Sequence, residues 1–355
     1  MFSRLHQGER AESPEAVRDL AGRWFDQRPL VSRMPRGGFS GDAVRVVAAG
    51  CERFVLKPFP RQCPADHARW VHAQMRRAVA AGVAEVPAVR ATAAGDTVVP
   101  AAGRLWEMIA FVEGSPVTTP TSEQAAAAMR VLASIHGTVP GQPDAGDSSA
   151  IAQRVEAARR LLERPWHSLL PDGRAGGGSP LERAVWERLP RAIDAIAGGR
   201  SQAALATIAG LPPRSVLRQW VLRDVWHDHV LYDPADPDRV AGIVDYHASG
   251  RDTPATDVAR LLGSWIDPGA VSPDWWSRRV AAYEAIRPLP EADRRLVPFL
   301  AATGVVFGLD HWCRWILEED RQFGVTAEVE QRLDRLVGAL PIAVETLGTW
   351  ALEPV

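Results

Sequence analysis

The spacing of hydrophobic positions changes several times in the first third of the chain, from helical to extended and back. The expected helices are residues 14–27 and 65–81, and the expected strands are residues 43–48, 53–58, 97–99 and 104–112. Ser13 precedes the first helix and can accept a hydrogen bond from one of its free N–H groups. Short strands joined by turns favour an antiparallel sheet. Residues 1–112 are therefore expected to form a small lobe with an N-terminal helix and an antiparallel sheet.

Helical spacing dominates the rest of the chain. The expected helices are residues 121–136, 151–164 and 180–209, followed by a helical C-terminal third. One stretch differs, because the apolar runs Val230–Tyr232 and Val240–Val244 lie on either side of the turn-rich sequence PADPD, which predicts a β-hairpin. The expected fold class is α+β, with residues 113–355 as a larger, mostly helical lobe that carries this hairpin.

Acidic and imidazole side chains flank both strands of the predicted hairpin. Asp224 lies in the loop before the first strand, Asp245 follows the second, and His227, Asp228 and His229 come shortly after Asp224. A hairpin brings its two ends together, so both carboxylates should meet at one edge. Such a group can hold a divalent cation and orient a hydroxyl. The alternative interpretation is a polar turn pair with no chemistry.

A glycine-rich turn lies between the first helix and the first strands. It contains Gly37, Gly38, Phe39, Ser40 and Gly41. Glycines let backbone N–H groups approach a phosphate closely. An ordinary hairpin turn would have the same composition, so the turn alone does not decide between the two.

Lys57 ends a strand after this turn, and it is the only lysine among the 41 lysine and arginine residues. The chain also lacks asparagine, as expected of a gene that avoids A-rich codons. A lysine retained in that background suggests that a compact point charge is needed there. A glycine-rich turn followed by a strand that ends in lysine is the order expected in the N-terminal lobe of a kinase, where the lysine usually pairs with an acidic residue on the following helix. Here that helix has Asp66 at its start and no glutamate.

Composition narrows the classes of partner. At 355 residues the chain can bury a large core, and its formal net charge of −2 gives no electrostatic case for a nucleic-acid partner. We expect no membrane association, because no apolar run of spanning length and no signal-peptide core is evident. The three cysteines lack CxxC spacing and fit a reducing cytoplasm, with neither disulfides nor a zinc site.

Taken in order, the motifs resemble those of the aminoglycoside phosphotransferase and choline kinase-like family, over roughly residues 31–320. The matching motifs are the turn Gly37–Gly41, Lys57, the helix end Leu132–His136, the loop Leu222–His229, Val244–Tyr246 and Arg251–Ala259. No one motif is decisive, but their order over so long a span is specific.

The resemblance implies a two-lobed protein-kinase-like fold and transfer of the γ-phosphoryl group of ATP or GTP to a hydroxyl of a small molecule. It implies Asp224 as catalytic base and Asp245 as a ligand of Mg²⁺, with Mn²⁺ as the alternative metal. Lys57 and the glycine-rich turn would bind the phosphates. Backbone groups from Ile109 to Phe111 would bind the adenine edge.

The chain departs from the family pattern in the catalytic loop. Leu222 and Arg223 replace the family's histidine and glycine, and His229 replaces an asparagine that is normally a second metal ligand. Imidazole is a softer ligand than an amide oxygen, so a metal site that includes His229 would be a rebuilt one. The alternative hypothesis is a kinase-fold protein that binds nucleotide or regulates, with weak catalysis. The sequence defines neither the acceptor nor the oligomeric state.

Overall fold

The computed structural model describes residues 13–34, 44–138, 144–171, 178–266, 273–321, 323 and 326–350. The chain forms two compact units. The small unit contains Met1–Arg76 and Pro87–Phe111, and the large unit contains Arg77–Val86 and Val112–Val355. The glycine-rich turn 37–41 lies outside the described residues, so its predicted phosphate-binding role stays a prediction.

The small unit is built on one antiparallel sheet. Its elements in chain order are α1 (Pro14–Ala21), β1 (Leu30–Arg33), β2 (Arg45–Ala49), β3 (Glu52–Pro58), α2 (Ala65–Ala80, whose last residues belong to the large unit), β4 (Val98–Ala101) and β5 (Arg104–Ala110). The strands lie in the order β1-β2-β3-β5-β4, and each neighbouring pair is antiparallel. Val47, Leu56, Trp106 and Met108 of the sheet share a buried core with Leu20 of α1.

The first helix begins where the sequence predicts and ends earlier. The Ser13 hydroxyl accepts a hydrogen bond from the N–H of Ala16 at 3.2 Å, which confirms the expected N-cap. The helix ends at Ala21, and a turn of 3₁₀ helix covers Gly22–Trp24. Glycine is a poor helix former, and the periodic pattern beyond it reflects burial of Trp24 rather than a continued α-helix.

The large unit is mainly helical. Its elements in chain order are β6 (Ser115–Pro116), α3 (Ser122–Gly137), β7 (Asp144–Asp147), α4 (Ser149–Glu163), α5 (Pro180–Ile196), α6 (Gly199–Ala209), β8 (Ser215–Val221), β9 (Val230–Tyr232), β10 (Val240–Ile243), β11 (Gly250–Asp252), α7 (Ala255–Ser264), α8 (Pro273–Glu284), α9 (Glu291–Leu317) and α10 (Thr326–Trp350). Its strands form two small antiparallel sheets, in the orders β10-β9-β6 and β11-β8-β7.

The predicted helix over residues 180–209 is two helices. α5 and α6 are separated at Gly198, whose extended backbone (φ −62°, ψ 144°) starts the second helix. The chain therefore changes direction at a Gly-Gly pair that the hydrophobic spacing alone does not reveal. The predicted start of α3 is confirmed, because Thr121 and Gln124 form a reciprocal capping box there.

Helix α9 corrects the expectation that no segment is long and apolar enough to cross a membrane. By length and composition it meets that criterion. In the structure, however, 78% of its most apolar window is buried, and it packs mainly against α7 and α10. These are the properties of a helix in the core of a globular unit, which is apolar on all sides because protein surrounds it.

The expected fold class is confirmed. An antiparallel sheet with few helices forms the N-terminal part, and a larger helical part with a β-hairpin forms the rest. In the large unit, β9 pairs with both β10 and β6, and helix α3 contacts β10.

Candidate active site

The hairpin brings Asp224 and Asp245 to one edge, as the sequence predicts. Strands β9 and β10 pair antiparallel, with Val230 opposite Ile243. His229 lies between the two aspartates. Its Nδ1 is 2.7 Å from the backbone oxygen of Asp224, and its Nε2 is 3.8 Å from Oδ2 of Asp245.

The contact with Asp224 fixes the tautomer of His229. A carbonyl oxygen only accepts hydrogen bonds, so Nδ1 must carry a proton and donate it. In the neutral imidazole, Nε2 is then the nitrogen with the free lone pair. That nitrogen points toward carboxylates, since Oδ1 of Asp228 lies 3.9 Å away and Oδ2 of Asp245 lies 3.8 Å away. A cation bound between this nitrogen and the two carboxylates would offset the repulsion between the nitrogen lone pair and the negatively charged oxygens.

A buried network holds the catalytic loop by its backbone. The carboxylate of Asp257, fully buried on α7, accepts the N–H groups of Leu222 at 2.5 Å and Arg223 at 2.7 Å. The same carboxylate contacts Nε2 of His136 at 3.0 Å, and Nδ1 of His136 contacts the hydroxyl of Tyr283 at 2.8 Å. His136 therefore links α3 to the buried carboxylate of α7 and to Tyr283 of α8.

Two residues of the loop and hairpin have a left-handed backbone. The φ angle is 64° at Arg223 and 68° at Asp245. Side chains other than glycine rarely adopt this region, and such positions often mark functional sites. Arg223 stands where the family pattern has glycine, and its left-handed backbone is the conformation that glycine adopts most readily. The side chain of Arg223 lies over Gly250, where a Cβ would come within 2.2 Å of its guanidinium carbon, and it donates to the backbone oxygen of Arg251 at 2.9 Å.

One face of α7 contacts the loop at three successive points. Asp257 binds the loop backbone, Arg260 donates to Oδ1 of Asp224 at 2.7 Å, and the hydroxyl of Ser264 accepts the N–H of His227 at 3.0 Å. Positions i, i+3 and i+7 lie on the same side of a helix. The first helix after the hairpin thus supplies a row of polar groups that contact the loop.

Asp224 is held by an arginine and a tryptophan. Oδ1 accepts hydrogen bonds from Nη2 of Arg260 at 2.7 Å and from the indole N–H of Trp226 at 2.8 Å. Burial raises the pKa of the Asp224 carboxyl, but the opposing effects, led by the positive charge of Arg260, outweigh it, and the pKa lies below its ordinary value. The side chain is still 42% exposed. Asp224 is therefore an ionised carboxylate that a second molecule can reach.

Helix α10 contacts the next turn of the same loop. Arg332 donates to Oδ2 of Asp228 at 3.1 Å, and Nη1 of Arg335 lies 2.8 Å from Nε2 of His227. Burial lowers the pKa of His227 to about 4. The imidazole is therefore neutral at physiological pH and accepts the hydrogen bond from Arg335. The loop from Leu222 to His229 is held by α7 and α10 together.

The donor set near Asp245 fits a metal that is shared with nucleotide phosphates. No group of three or more His, Cys, Asp or Glu side chains in the described part of the chain could hold a metal by itself. Mg²⁺ at kinase sites uses one or two carboxylates and takes its other ligands from phosphate and water. Asp245 and Nε2 of His229 suit that role. His247, whose Nδ1 is 3.8 Å from Oδ1 of Asp245, adds a second imidazole that the sequence motif does not identify.

Lys57 has an acidic neighbour that sequence reasoning missed. It lies directly opposite Glu107 in the pairing of β3 with β5, and side chains of opposite residues share one face of a sheet. The carboxylate of Glu107 is buried and contacts Nε2 of His72 on α2 at 2.7 Å. The acid expected on the helix is thus on a strand, and the helix supplies a histidine that binds it.

The proposed adenine-binding residues lie at the end of β5. Ile109 pairs with Val55 in the sheet and bridges to Val89. The N–H of Phe111 donates to the backbone oxygen of Arg53 at 3.0 Å. An adenine contact at these positions stays a prediction, and any contact made through the N–H of Phe111 would replace this internal hydrogen bond.

The fold and the hairpin site together define a class, the small-molecule kinases with a protein-kinase-like fold. An antiparallel sheet carries a lysine on β3, and a helical unit carries an aspartate loop followed by a hairpin with a second aspartate. The chain belongs to the phosphotransferase enzyme family, whose sequence model matches residues 33–296.

Among curated proteins the chain is similar to homoserine kinases. The homoserine kinase of Xanthobacter autotrophicus is 29% identical over 204 residues, which cover 56% of this chain and 54% of that protein. The homoserine kinase of Methylobacterium radiotolerans is 25% identical over 200 residues, with the same coverage of 56% and 54%. The chain thus spans about half the length of the curated relatives it matches.

Solved structures share the fold over nearly the whole chain. A spectinomycin phosphotransferase in complex with ADP and spectinomycin has a TM-score of 0.66 at 12% identity, and the match covers 94% of this chain and 98% of that one. A microcompartment-associated aminopropanol kinase has a TM-score of 0.60 at 17% identity, with coverage of 96% and 99%. At such low identity the likeness establishes the fold alone.

Proposed function

We propose that this protein transfers the γ-phosphoryl group of ATP or GTP to a hydroxyl of a small molecule, with Asp224 as the catalytic base. Asp245 and His229 hold a divalent metal, and Lys57 and the turn Gly37–Gly41 bind the nucleotide phosphates. The metal neutralises phosphate charge when it is bound. The chain itself then binds the nucleotide and the acceptor, orients the acceptor hydroxyl and receives its proton at Asp224. These tasks suffice because positioning and electrostatics account for most catalysis of phosphoryl transfer.

The observation that supports this function best is the arrangement at the hairpin edge. His229 contacts the backbone of Asp224 at 2.7 Å and approaches the carboxylate of Asp245 at 3.8 Å. Base and metal ligand are thus held in one rigid group that also includes Asp257. A polar turn without chemistry would not need a buried network to fix its backbone.

A small amino alcohol is the proposed class of acceptor. The curated relatives are named homoserine kinases, and one fold neighbour is named an aminopropanol kinase. Acidic residues such as Glu318–Asp320 after α9 could in principle attract a cationic acceptor, but they do not favour a large polycation. Glu318 is already bound by Arg164 at 2.6 Å and by Arg314 at 3.0 Å, and Arg321 lies over the ring of Trp315.

Replacement of Asp245 by alanine is expected to weaken binding of the metal–nucleotide complex. Outer-sphere partners of a metal contribute ~10- to 100-fold to metal affinity, and a direct ligand should contribute at least as much. Titration of Mn²⁺ in the presence of ATP, followed by electron paramagnetic resonance, measures this. Equal Mn²⁺ affinity in the wild type and in Asp245→Ala would contradict the metal role of Asp245.

Replacement of His229 by asparagine is expected to shift the metal preference from Mn²⁺ toward Mg²⁺. An amide oxygen is a harder ligand than an imidazole nitrogen, and Mg²⁺ prefers oxygen. The ratio of turnover with Mg²⁺ to turnover with Mn²⁺ should therefore rise. His167→Asn, at an exposed position of the large unit, is the matched control and should keep the wild-type ratio. An unchanged ratio in His229→Asn would remove His229 from the metal site.

A second function remains a candidate because of the departures in the loop. A protein that binds nucleotide with little transfer would also keep Asp245 and Lys57, and the ion pair of Asp224 with Arg260 would then be structural. The three cysteines are free, which supports action in a reducing cytoplasm for either function.

An acceptor screen distinguishes the two functions. The purified protein is incubated with ATP or GTP, with Mg²⁺ or Mn²⁺, and with L-homoserine, 1-amino-2-propanol, choline, sugars or aminoglycosides, and nucleotide consumption is measured. Acceptor-dependent consumption that is lost in Asp224→Asn supports the phosphotransferase. Nucleotide binding without consumption on every acceptor supports the binding protein.

A further inference from the structure

We propose that Trp226 and Arg260 are positioning residues, which hold Oδ1 of Asp224 and thereby present Oδ2 to the acceptor hydroxyl. The proposal rests on the phosphotransferase function proposed above, since it assigns the two oxygens of the catalytic carboxylate to different tasks. Trp226 lies at a variable position of the loop motif Leu222–His229, and Arg260 follows the motif Arg251–Ala259, so the family pattern gives neither residue a role.

Both hydrogen bonds to the Asp224 side chain end on the same oxygen. The indole N–H of Trp226 and Nη2 of Arg260 reach Oδ1 at 2.8 and 2.7 Å. Oδ2 receives no hydrogen bond from the described residues, and it is not among their buried unpartnered atoms. The Asp224 side chain is 42% exposed. Oδ2 is therefore the carboxylate oxygen that an acceptor can reach.

The tryptophan that donates to Oδ1 is itself fixed by two guanidinium groups. The Cζ atom of Arg260 lies 4.4 Å from the centre of the Trp226 ring, and that of Arg332 lies 4.0 Å from it. Arg332 is nearly buried and donates to Asp228 at 3.1 Å. Stacked guanidinium groups restrict the indole through cation–π attraction. The ring thus has little freedom to turn its N–H away from Asp224.

The helix that provides Arg260 also holds the backbone of the loop. Asp257 fixes the N–H groups of Leu222 and Arg223, and Arg260 follows one turn later on the same face. Backbone and side chain of Asp224 are therefore set by one rigid element. A functional group supported in this way keeps its orientation to within a fraction of an ångström, which is the condition for effective positioning.

The two donors also suit the chemistry of phosphoryl transfer. They stabilise the ionised carboxylate, so Asp224 is a weak base that orients the hydroxyl and accepts its proton late. This matches a loose transition state, in which the attacking oxygen has formed little bond to phosphorus and still carries its proton. In the step itself, the acceptor oxygen bonds to the γ-phosphorus, the bond from phosphorus to the bridging oxygen breaks, ADP or GDP leaves, and the hydroxyl proton moves to Oδ2.

Trp226→Phe tests the proposal, because it keeps an aromatic ring beside the two guanidinium groups and removes the N–H donor together with the five-membered ring that carries it. With ATP and L-homoserine, kcat should fall by about 10- to 100-fold, with a KM for ATP within about twofold of wild type. Arg260→Met should lower kcat similarly, and Arg260→Lys should recover part of the loss because it keeps an N–H donor. In the Asp224→Ala background, Trp226→Phe should have no further effect on the residual turnover.

The large unit offers a matched control. Trp166 donates its indole N–H to Oδ1 of Asp310 at 3.1 Å, and Arg160 pairs with the same aspartate at 3.2 Å. Trp166→Phe and Arg160→Met therefore remove interactions of the same kind at a different place, and kcat should stay at the wild-type value. Equal kcat in Trp226→Phe and Trp166→Phe, or a change confined to KM, would overturn the proposal.

A spectroscopic measurement tests the proposal without an acceptor. In protein labelled with ¹⁵N-tryptophan, the indole signal of Trp226 is the one lost in Trp226→Phe. The ¹H chemical shift of this indole N–H should move upfield in Asp224→Ala, because the hydrogen bond is lost. The shift of the Trp166 indole N–H should not change. An unchanged Trp226 signal means that no hydrogen bond to Asp224 exists, and the positioning role is then wrong. A shifted signal in a protein that phosphorylates no acceptor would instead leave the contact intact and refute the proposed function.

Discussion

Replacement of Asp224 by asparagine is expected to reduce kcat by about 10²- to 10⁴-fold, the usual contribution of a general base. The amide oxygen can still accept the hydrogen bonds from Trp226 and Arg260 at the position of Oδ1. The amide NH₂ then occupies the position of Oδ2, where it cannot accept a proton. Nucleotide affinity should therefore stay within about twofold of wild type, as measured by calorimetric titration with ADP.

Asp236→Asn is the control for this experiment. Asp236 lies in the exposed turn of the same hairpin, so its replacement changes the same charge without touching the edge that carries Asp224. Its kcat should equal that of the wild type. Full turnover by Asp224→Asn would show that another group receives the proton, and loss of ADP binding would show that Asp224 acts on the nucleotide instead.

Replacement of Asp257 by alanine is expected to destabilise the protein by about 3–5 kcal/mol. The change leaves the N–H groups of Leu222 and Arg223 and the imidazole of His136 without their buried acceptor. Each unsatisfied buried donor costs ~1–3 kcal/mol. The midpoint of urea unfolding, followed by tryptophan fluorescence, should fall accordingly. Asp257→Asn keeps one acceptor oxygen and should lie between the alanine variant and the wild type.

Asp236→Ala again provides the comparison, because an exposed substitution of this kind changes stability by no more than about 0.5 kcal/mol. Similar midpoints for Asp257→Ala and Asp236→Ala would mean that the buried network does not hold the loop. In that case the left-handed backbone at Arg223 and Asp245 would need another source of support.

The parts of the fold that depend on local sequence could be predicted. The hairpin β9–β10 follows from two apolar runs around a turn, and the start of α3 follows from a capping box at Thr121. Local patterns failed inside one predicted helix and at the end of another. Gly198 divides one predicted helix into two, and Trp24 extends a periodic pattern beyond the end of α1.

In the candidate site, sequence reasoning brought together only residues that adjoin the predicted hairpin. Asp224, Asp245 and His229 lie within a few residues of the hairpin and come together with it. Arg260 and Glu107 contact the site or the lysine strand from elements far away in sequence. A single sequence does not show which residue such an arginine or glutamate contacts. Both residue types are common in salt bridges and also at solvent-exposed positions.

The departures of the loop from its family have a physical explanation in part. Arg223 replaces a glycine in a left-handed position, and Gly250 leaves room for its side chain. His229 replaces an asparagine and keeps a fixed tautomer through its contact with Asp224. The loop therefore has a left-handed backbone at Arg223 and an imidazole at position 229.

The central claim is phosphoryl transfer to a hydroxyl, and identification of the product by ³¹P NMR tests it most directly. The protein is incubated with ATP, Mn²⁺ or Mg²⁺, and the acceptor that stimulates nucleotide consumption, beginning with L-homoserine. The metal is removed with a chelator before the spectrum is recorded. The predicted result is ADP together with an equal amount of a phosphate monoester of the acceptor, absent in Asp224→Asn. Inorganic phosphate as the only product, or unchanged ATP with every acceptor, would contradict the claim.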